Sequence, residues 1–282
     1  MSHTVILSAV TFFYFGAFLL YLLRVITNRE TWGVGASWTL LIGFAAQTVA
    51  LVLRWIDSYR LGIGHAPLSN FYESLVFFAW AMVLLYLLTE WRTRSRSAGV
   101  FVTPPALICM AYASFSPTVN SRIQPLVPAL QSNWLISHVV SCFLGYAAFT
   151  IAFALAVMFL LKRREGEQKG LTGRFLRMLP DRESIDELLY HNVVFGFILL
   201  TLGIATGSVW AHHAWGSYWS WDPKETWSLV TWLIYAALLH VRLVRGWRGG
   251  RIAALCIFGF AAVLFTYFGV NYLPGLHSYL KS

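Results

Sequence analysis

The stretch WLISHVVSCFLGYAAFTIAFALAVMFLL, residues 134–161, decides what kind of molecule this is. It holds no Asp, Glu, Lys or Arg over 28 residues. About 20 apolar residues in a helix cross the hydrocarbon of a bilayer, so this block spans it and projects beyond. Similar blocks occupy 4–23, 37–53, 71–89, 99–115, 187–208, 226–241 and 252–272, which makes eight candidate spans. Block 99–115 is short and carries Pro104-Pro105 near its start. Composition agrees: of 282 residues 58% are hydrophobic and 12% charged, and mean hydropathy is +0.62. A soluble domain carries about 25% charged residues. A cytosolic enzyme, a secreted disulfide scaffold and a disordered chain are excluded. The expected fold class is all-α, a polytopic membrane helix bundle of about eight transmembrane helices.

Eight spans place both termini on one side. Sixteen of the 21 Lys and Arg then fall in the first, third, fifth and seventh loops, and five on the other face. Lys and Arg accumulate on the cytoplasmic side, so both termini are expected outside. The net charge of +9 therefore reports topology, and no nucleic-acid partner is expected. The first apolar block lacks a basic leader and a small-residue cleavage site, and reads as a retained helix. Residues 162–186 form the one long charged stretch, expected to be a cytoplasmic linker with a short amphipathic helix over 171–179. Cys109, Cys142 and Cys256 sit in apolar blocks with no CxxC pair, so the chain has no redox motif and no haem attachment motif of its own.

The segment WAHHAWGSYWSWDPKETW, residues 210–227, stands apart. Five of the 13 tryptophans fall in it: Trp210, Trp215, Trp219, Trp221 and Trp227, beside Tyr218, His212 and His213. An interfacial belt spreads its aromatics over many helix ends. This density suits a flat aromatic platform, large in apolar contact and low in entropic cost, of a kind that cradles a haem plate. Gly216 allows close backbone approach. Asp222 before Pro223 suits a helix cap, with Glu225 in the first turn.

The string WGSYWSWDPKETW at 215–227 resembles the "WWD" signature of haem-handling membrane proteins, the CcsA/ResC, CcmC and CcmF proteins of cytochrome c maturation. GHAPLSNFYES at 64–74, LISHVVSCFLGYAAF at 135–149, LLTLGIATGSVWA at 199–211 and GVNYLPGLHSY at 269–279 look like the CcsA/ResC branch. The resemblance runs from about residue 60 to the end, which suggests N-terminal helices over 1–60 and a haem-handling domain over 61–282 with the tryptophan-rich outer loop at 210–227. It implies a multi-pass protein of the bacterial cytoplasmic membrane, or of the thylakoid in a plastid.

Haem iron takes axial imidazoles. His138 opens the fifth span and His277 follows the eighth, both on the expected outer face. The resemblance makes them the axial ligands, with Trp210, Trp215, Trp219, Trp221, Asp222 and Trp227 forming the platform. His240 lies about 22 Å along the seventh helix from Glu225. An ionisable residue at that depth is a functional candidate, and the resemblance makes it an internal haem ligand on an entry path, partnered by a CcsB/ResB-type protein. His191, at similar depth, is an alternative partner for it. His212 and His213 are placed to touch propionates, and a turn role suits His65. The histidines lack HxxxH or HExxH spacing, which argues against zinc.

The implied activity is delivery and covalent attachment of haem b to apocytochrome c. The thiols belong to the substrate's CxxCH segment, and this chain would position the haem, as cytochrome c synthase (a haem lyase) in complex with its CcsB/ResB-type partner. One alternative is a haem transporter or chaperone that hands haem on without attaching it. Another is a non-haem transporter whose tryptophans merely anchor it.

Overall fold

In the computed structural model the described residues are 3–126, 130–162 and 170–275. They form α1 (His3–Thr27), α2 (Glu30–Arg60), α3 (Phe71–Thr93), α4 (Gly99–Phe115), α5 (Asn133–Lys162), α6 (Gly170–Met178), α7 (Arg182–Trp215), α8 (Pro223–Arg245) and α9 (Gly250–Tyr267), then a 3-10 turn Gly269–Tyr272. No strand occurs among the described residues. Seven of these helices, α1, α2, α3, α5, α7, α8 and α9 with its turn, are long and apolar enough to cross a membrane; α4 is apolar but has 17 residues. The chain is an all-helical polytopic membrane protein. Helix α6 coincides, to within a residue at each end, with the short helix expected in the charged linker.

Several helices overrun their apolar blocks. Helix α2 has 31 residues and α7 has 34, against apolar cores expected at 37–53 and 187–208. Arg54, inside α2 and 1% exposed, explains how α2 continues past its apolar block: it is neutralised by Glu73. Pro104 and Pro105 sit inside α4 without ending it, as membrane helices allow when freed groups find other partners.

The described helices fall into two compact units: Met1–Pro125 with Leu161–Arg182, and Leu126–Leu160 with Glu183–Ser282. In the first unit α1 packs on α2 and α4, and α3 packs on α4. The buried stripe runs 7, 10, 14, 17, 21, 24 on α1 and 33, 36, 40, 43, 47, 50, 54 on α2. That alternating three-and-four spacing keeps one narrow seam facing a neighbour helix. Away from the seam, Phe12 is 64% and Trp38 62% exposed, as suits side chains whose solvent is lipid. Each end of the unit is closed by ion pairs. At one end Arg54 meets Glu73 at 2.8 Å and donates to the Ser121 carbonyl at 2.8 Å. At the other, Glu90 takes the Tyr21 hydroxyl at 2.9 Å and pairs with Arg96, while Glu30 bridges Arg24 and Arg96.

The second unit is a bundle of α5, α7, α8 and α9. Phe149 of α5 stacks on Tyr235 of α8 with ring centroids 3.6 Å apart, and Phe153 of α5 on Phe260 of α9 at 4.6 Å. Thr231 and Thr266 join α8 to α9 at 2.9 Å, and Trp232 Nε1 donates to Thr201 Oγ1 of α7 at 2.8 Å. Far from the tryptophan-rich segment, Arg242 pairs with Asp186 at 2.8 Å, whose other oxygen accepts from the Gly249 N–H.

Candidate functional site

The second unit carries His138 in a seam between α5 and α7. Helix α5 presents His138, Cys142, Gly145 and Phe149 at successive four- and three-residue steps; α7 answers with Gly196, Gly203 and Gly207. A Cβ at Gly207 would lie 2.5 Å from His138 Nδ1, one at Gly203 2.5 Å from Cys142 Sγ, and one at Gly196 2.6 Å from the Phe149 ring. The glycines therefore cut the groove that seats the imidazole, the small-residue contact by which membrane helices approach closely.

His138 Nδ1 donates to the Gly203 carbonyl at 2.7 Å. A carbonyl only accepts, so Nδ1 carries the hydrogen and, in the neutral ring, Nε2 carries the lone pair. Metal-ligating histidines are fixed in this way, through a carbonyl on the opposite nitrogen. The ring lies nearly parallel to Trp210, centroids 6.0 Å apart at 14°. Trp210 is 2% exposed, and Trp215 meets it edge-on at 4.8 Å. The structure thus brings His138, Trp210 and Trp215 together. Cys142 Sγ lies 3.7 Å from His138 Nδ1, and the Lys224 ammonium is within electrostatic reach of Cys142 and Asp222.

Gly216 ends α7 with φ +79°, a left-handed turn that favours glycine. Among the described residues, its chain neighbours aside, nothing stands within 4 Å of a Cβ built there, so its visible role is the turn. His212 stacks on Tyr218 at 4.3 Å and 4°. Trp219 and Trp221 meet edge to face at 5.7 Å. Trp221 is 68% exposed and sits at φ +58°, an unfavourable conformation for a bulky residue. The Trp219 indole Nε1 is buried and has no acceptor among the described residues, which is uncommon for a buried donor.

Asp222 and Glu225 form a capping box with Pro223 at the first helical position, as the sequence implies. Asp222 accepts from the Lys224 N–H at 2.9 Å. Glu225 does more than cap: one carboxylate oxygen takes the Ser220 N–H at 2.8 Å, its hydroxyl at 3.1 Å and the Asp222 N–H at 3.3 Å. Glu225 is therefore the clamp that holds Trp219 to Trp221 in their strained path. Sequence reading valued it only as a helix start; the Asp-x-x-Glu spacing carried the signal. The Gly203/Gly207 groove was missed as well, although its small-xxx-small spacing is written in the chain.

Trp227 turns to α9, against Phe265 at 4.3 Å. Gly275 packs on the same corner: a Cβ there would lie 2.5 Å from Asp222 Oδ2. His277 lies outside the described residues. His240 is exposed on α8 and has no hydrogen bond among the described residues, and His191 is exposed on α7. His65 belongs to the first unit.

Residues 68–277 match a family model described as cytochrome C assembly protein. The cytochrome c biogenesis protein CcsA of Parasynechococcus marenigrum (strain WH8102) is 43% identical, with 94% of each chain covered. The protein of the same name from Chlorella vulgaris is 41% identical, with 86% of each covered. Among solved structures, cytochrome c heme lyase CcmF matches 95% of this chain with a TM-score of 0.72 at 20% identity. This chain spans about half, 47%, of the length of that one. The likeness in structure establishes the membrane helix fold.

Proposed function

The chain belongs to the cytochrome c biogenesis protein CcsA family, and from that premise we propose that its second unit grips haem at the tryptophan-rich end and presents it for covalent attachment to apocytochrome c. A role in cytochrome c biogenesis follows from the family; the residues and steps below are our reading.

The observation that carries it is the seating of His138, whose Nδ1–H is committed to the Gly203 carbonyl so that Nε2 is the basic nitrogen. His138 Nε2 is assigned as one axial ligand. His277 is assigned as the other, on the family resemblance and on the packing of Gly275, two residues before it, against Asp222. Haem is a broad apolar plate with two carboxylates. Trp210, Trp215, Trp219, Trp221 and Trp227 supply aromatic surface, and the buried Trp219 N–H is a donor without an acceptor among the described residues. Lys224 adds a cation beside the His138 seat. These groups fit the plate and its carboxylates.

Attachment needs the substrate's two CxxCH thiols to add across the haem vinyl groups: each S–H gives its sulfur to one vinyl carbon and its hydrogen to the other. The protein's share is orientation, which supplies several kcal/mol by removing translational and rotational freedom. The arginines at 242, 245, 248 and 251 lie at the opposite end of the bundle, which supports an outward tryptophan-rich end. His240, exposed on α8, is assigned as an internal haem ligand completed by a CcsB/ResB-type subunit.

The test is the absorption spectrum of the purified chain. Wild type is expected to carry a Soret band, and His138→Ala and His277→Ala to lose most of it while staying folded. Retention of the full band in His138→Ala overturns the ligand assignment. Coexpression with a CcsB/ResB-type partner and a CxxCH apoprotein separates attachment from carriage alone: covalent haem on the apoprotein supports attachment, and a haem-loaded complex that leaves it bare overturns it.

A further inference from the structure

His65 lies between α2 and α3 in the first unit, far in sequence from the tryptophan-rich segment, and is 6% exposed. Its backbone N–H donates to Ser58 Oγ at 2.8 Å. Its Nδ1 stands 2.8 Å from the Ala66 carbonyl oxygen, and its Nε2 stands 3.0 Å from the Gln124 carbonyl oxygen. A carbonyl oxygen accepts and never donates. A neutral imidazole has one N–H and satisfies one such contact; the other would set lone pair against lone pair. Both contacts together need a hydrogen on each nitrogen. We infer that His65 is held as an imidazolium and acts as a proton-dependent latch that fastens residues 121–124 to the segment around Ser58 and Ala66.

A second cation meets the same segment, and carbonyl dipoles stand between the two. Arg54 donates to the Ser121 carbonyl at 2.8 Å and the Arg122 carbonyl at 3.4 Å. Three carbonyls of one short segment thus converge on two cations. The charged groups on the neighbouring elements are His3 of α1, Arg54, Asp57 and Arg60 of α2, Glu73 of α3, and Arg122 of the segment itself. Glu73 is taken by Arg54 and Ser69, and Asp57 by His3 and Arg60. Among the described residues no carboxylate bonds to His65, so backbone dipoles hold its proton.

His3 is the opposite case. Its Nε2 accepts from Arg54 Nη1 at 3.1 Å and its Nδ1 donates to Asp57 at 3.0 Å, which requires a neutral ring. One unit therefore asks for one charged and one neutral histidine. Histidine changes charge between about pH 5 and 8. The His65 latch is closed where that ring is protonated and is released as pH rises. Residues 121–124 directly precede Pro125, where the first unit ends, and the chain runs on to α5 and His138.

The test uses the full chain in lipid nanodiscs. Nitrogen-15 histidine spectra, with His65→Gln to assign the signal, are expected to show both His65 ring nitrogens protonated at about pH 6. A single neutral tautomer there overturns the inference. Hydrogen exchange of the peptide over 118–126, corrected for intrinsic rate, is expected to lose protection about tenfold between about pH 5 and 8, the scale of one charge-assisted hydrogen bond. His65→Gln is expected to flatten that dependence and His3→Gln to keep its alkaline limb. A flat wild-type profile, or an unchanged slope in His65→Gln, overturns the latch. None of these readouts depends on haem.

Discussion

Two regions of this molecule, one at each unit's polar end, differ in their bonding. At the Arg54 end of the first unit, guanidinium, carboxylate and backbone carbonyls interlock, and Arg54 and Glu73 are each 1% exposed. At the tryptophan-rich end of the second unit, Trp221 is held at positive φ and the buried Trp219 N–H meets no acceptor among the described residues. The first arrangement completes itself, which is what architecture requires. The second is held by Glu225, whose carboxylate takes the Ser220 and Asp222 N–H groups, and it matches the haem-gripping surface proposed above.

Four changes test that contrast, in falling order of effect. Glu73→Ala leaves the Arg54 charge buried and uncompensated, and should cost about 3–5 kcal/mol. Reversible unfolding in detergent checks it, and a loss near zero would break the contrast at its firmest point. Glu225→Ala removes the clamp and should cost about 1.5–3 kcal/mol, with a larger fractional loss of copurified haem than of folded protein. Trp221→Gly relieves the left-handed strain and should stabilise the chain by about 1–2 kcal/mol, while haem retention falls. A rise in Tm together with a fall in Soret absorbance is the pattern expected of a strained binding residue. His240→Ala should move stability by less than about 0.5 kcal/mol because the side chain is exposed, and should lower the haem that copurifies when the partner subunit is present.

Much of the fold was legible because membrane helices are written as length. Charge-poor blocks of the right size mark where helices must be, and Asp222-Pro223 with Glu225 marks where α8 begins. The helix ends were harder. The extension of α2 through Arg54 depends on Glu73, 19 residues on, and apolar windows do not see ion pairs that close across helices. The site was legible as composition and illegible as geometry. His138, Trp210 and Trp215 come together only because α5 and α7 run in a register set by Gly196, Gly203 and Gly207. Lateral register in a bundle is a long-range property, and no periodicity within one helix reports it. Trp221's positive φ was hidden for a different reason: tryptophan has no intrinsic preference for that region, so the constraint comes from the Glu225 carboxylate and leaves no local mark.

The crowding of indoles within 4.8 to 6 Å of one another or of His138 has an optical consequence. Indole emission overlaps porphyrin absorption, and five of the 13 tryptophans lie in this one segment. A porphyrin seated there would darken a large share of the chain's ultraviolet fluorescence, so occupancy can be followed in real time without a label.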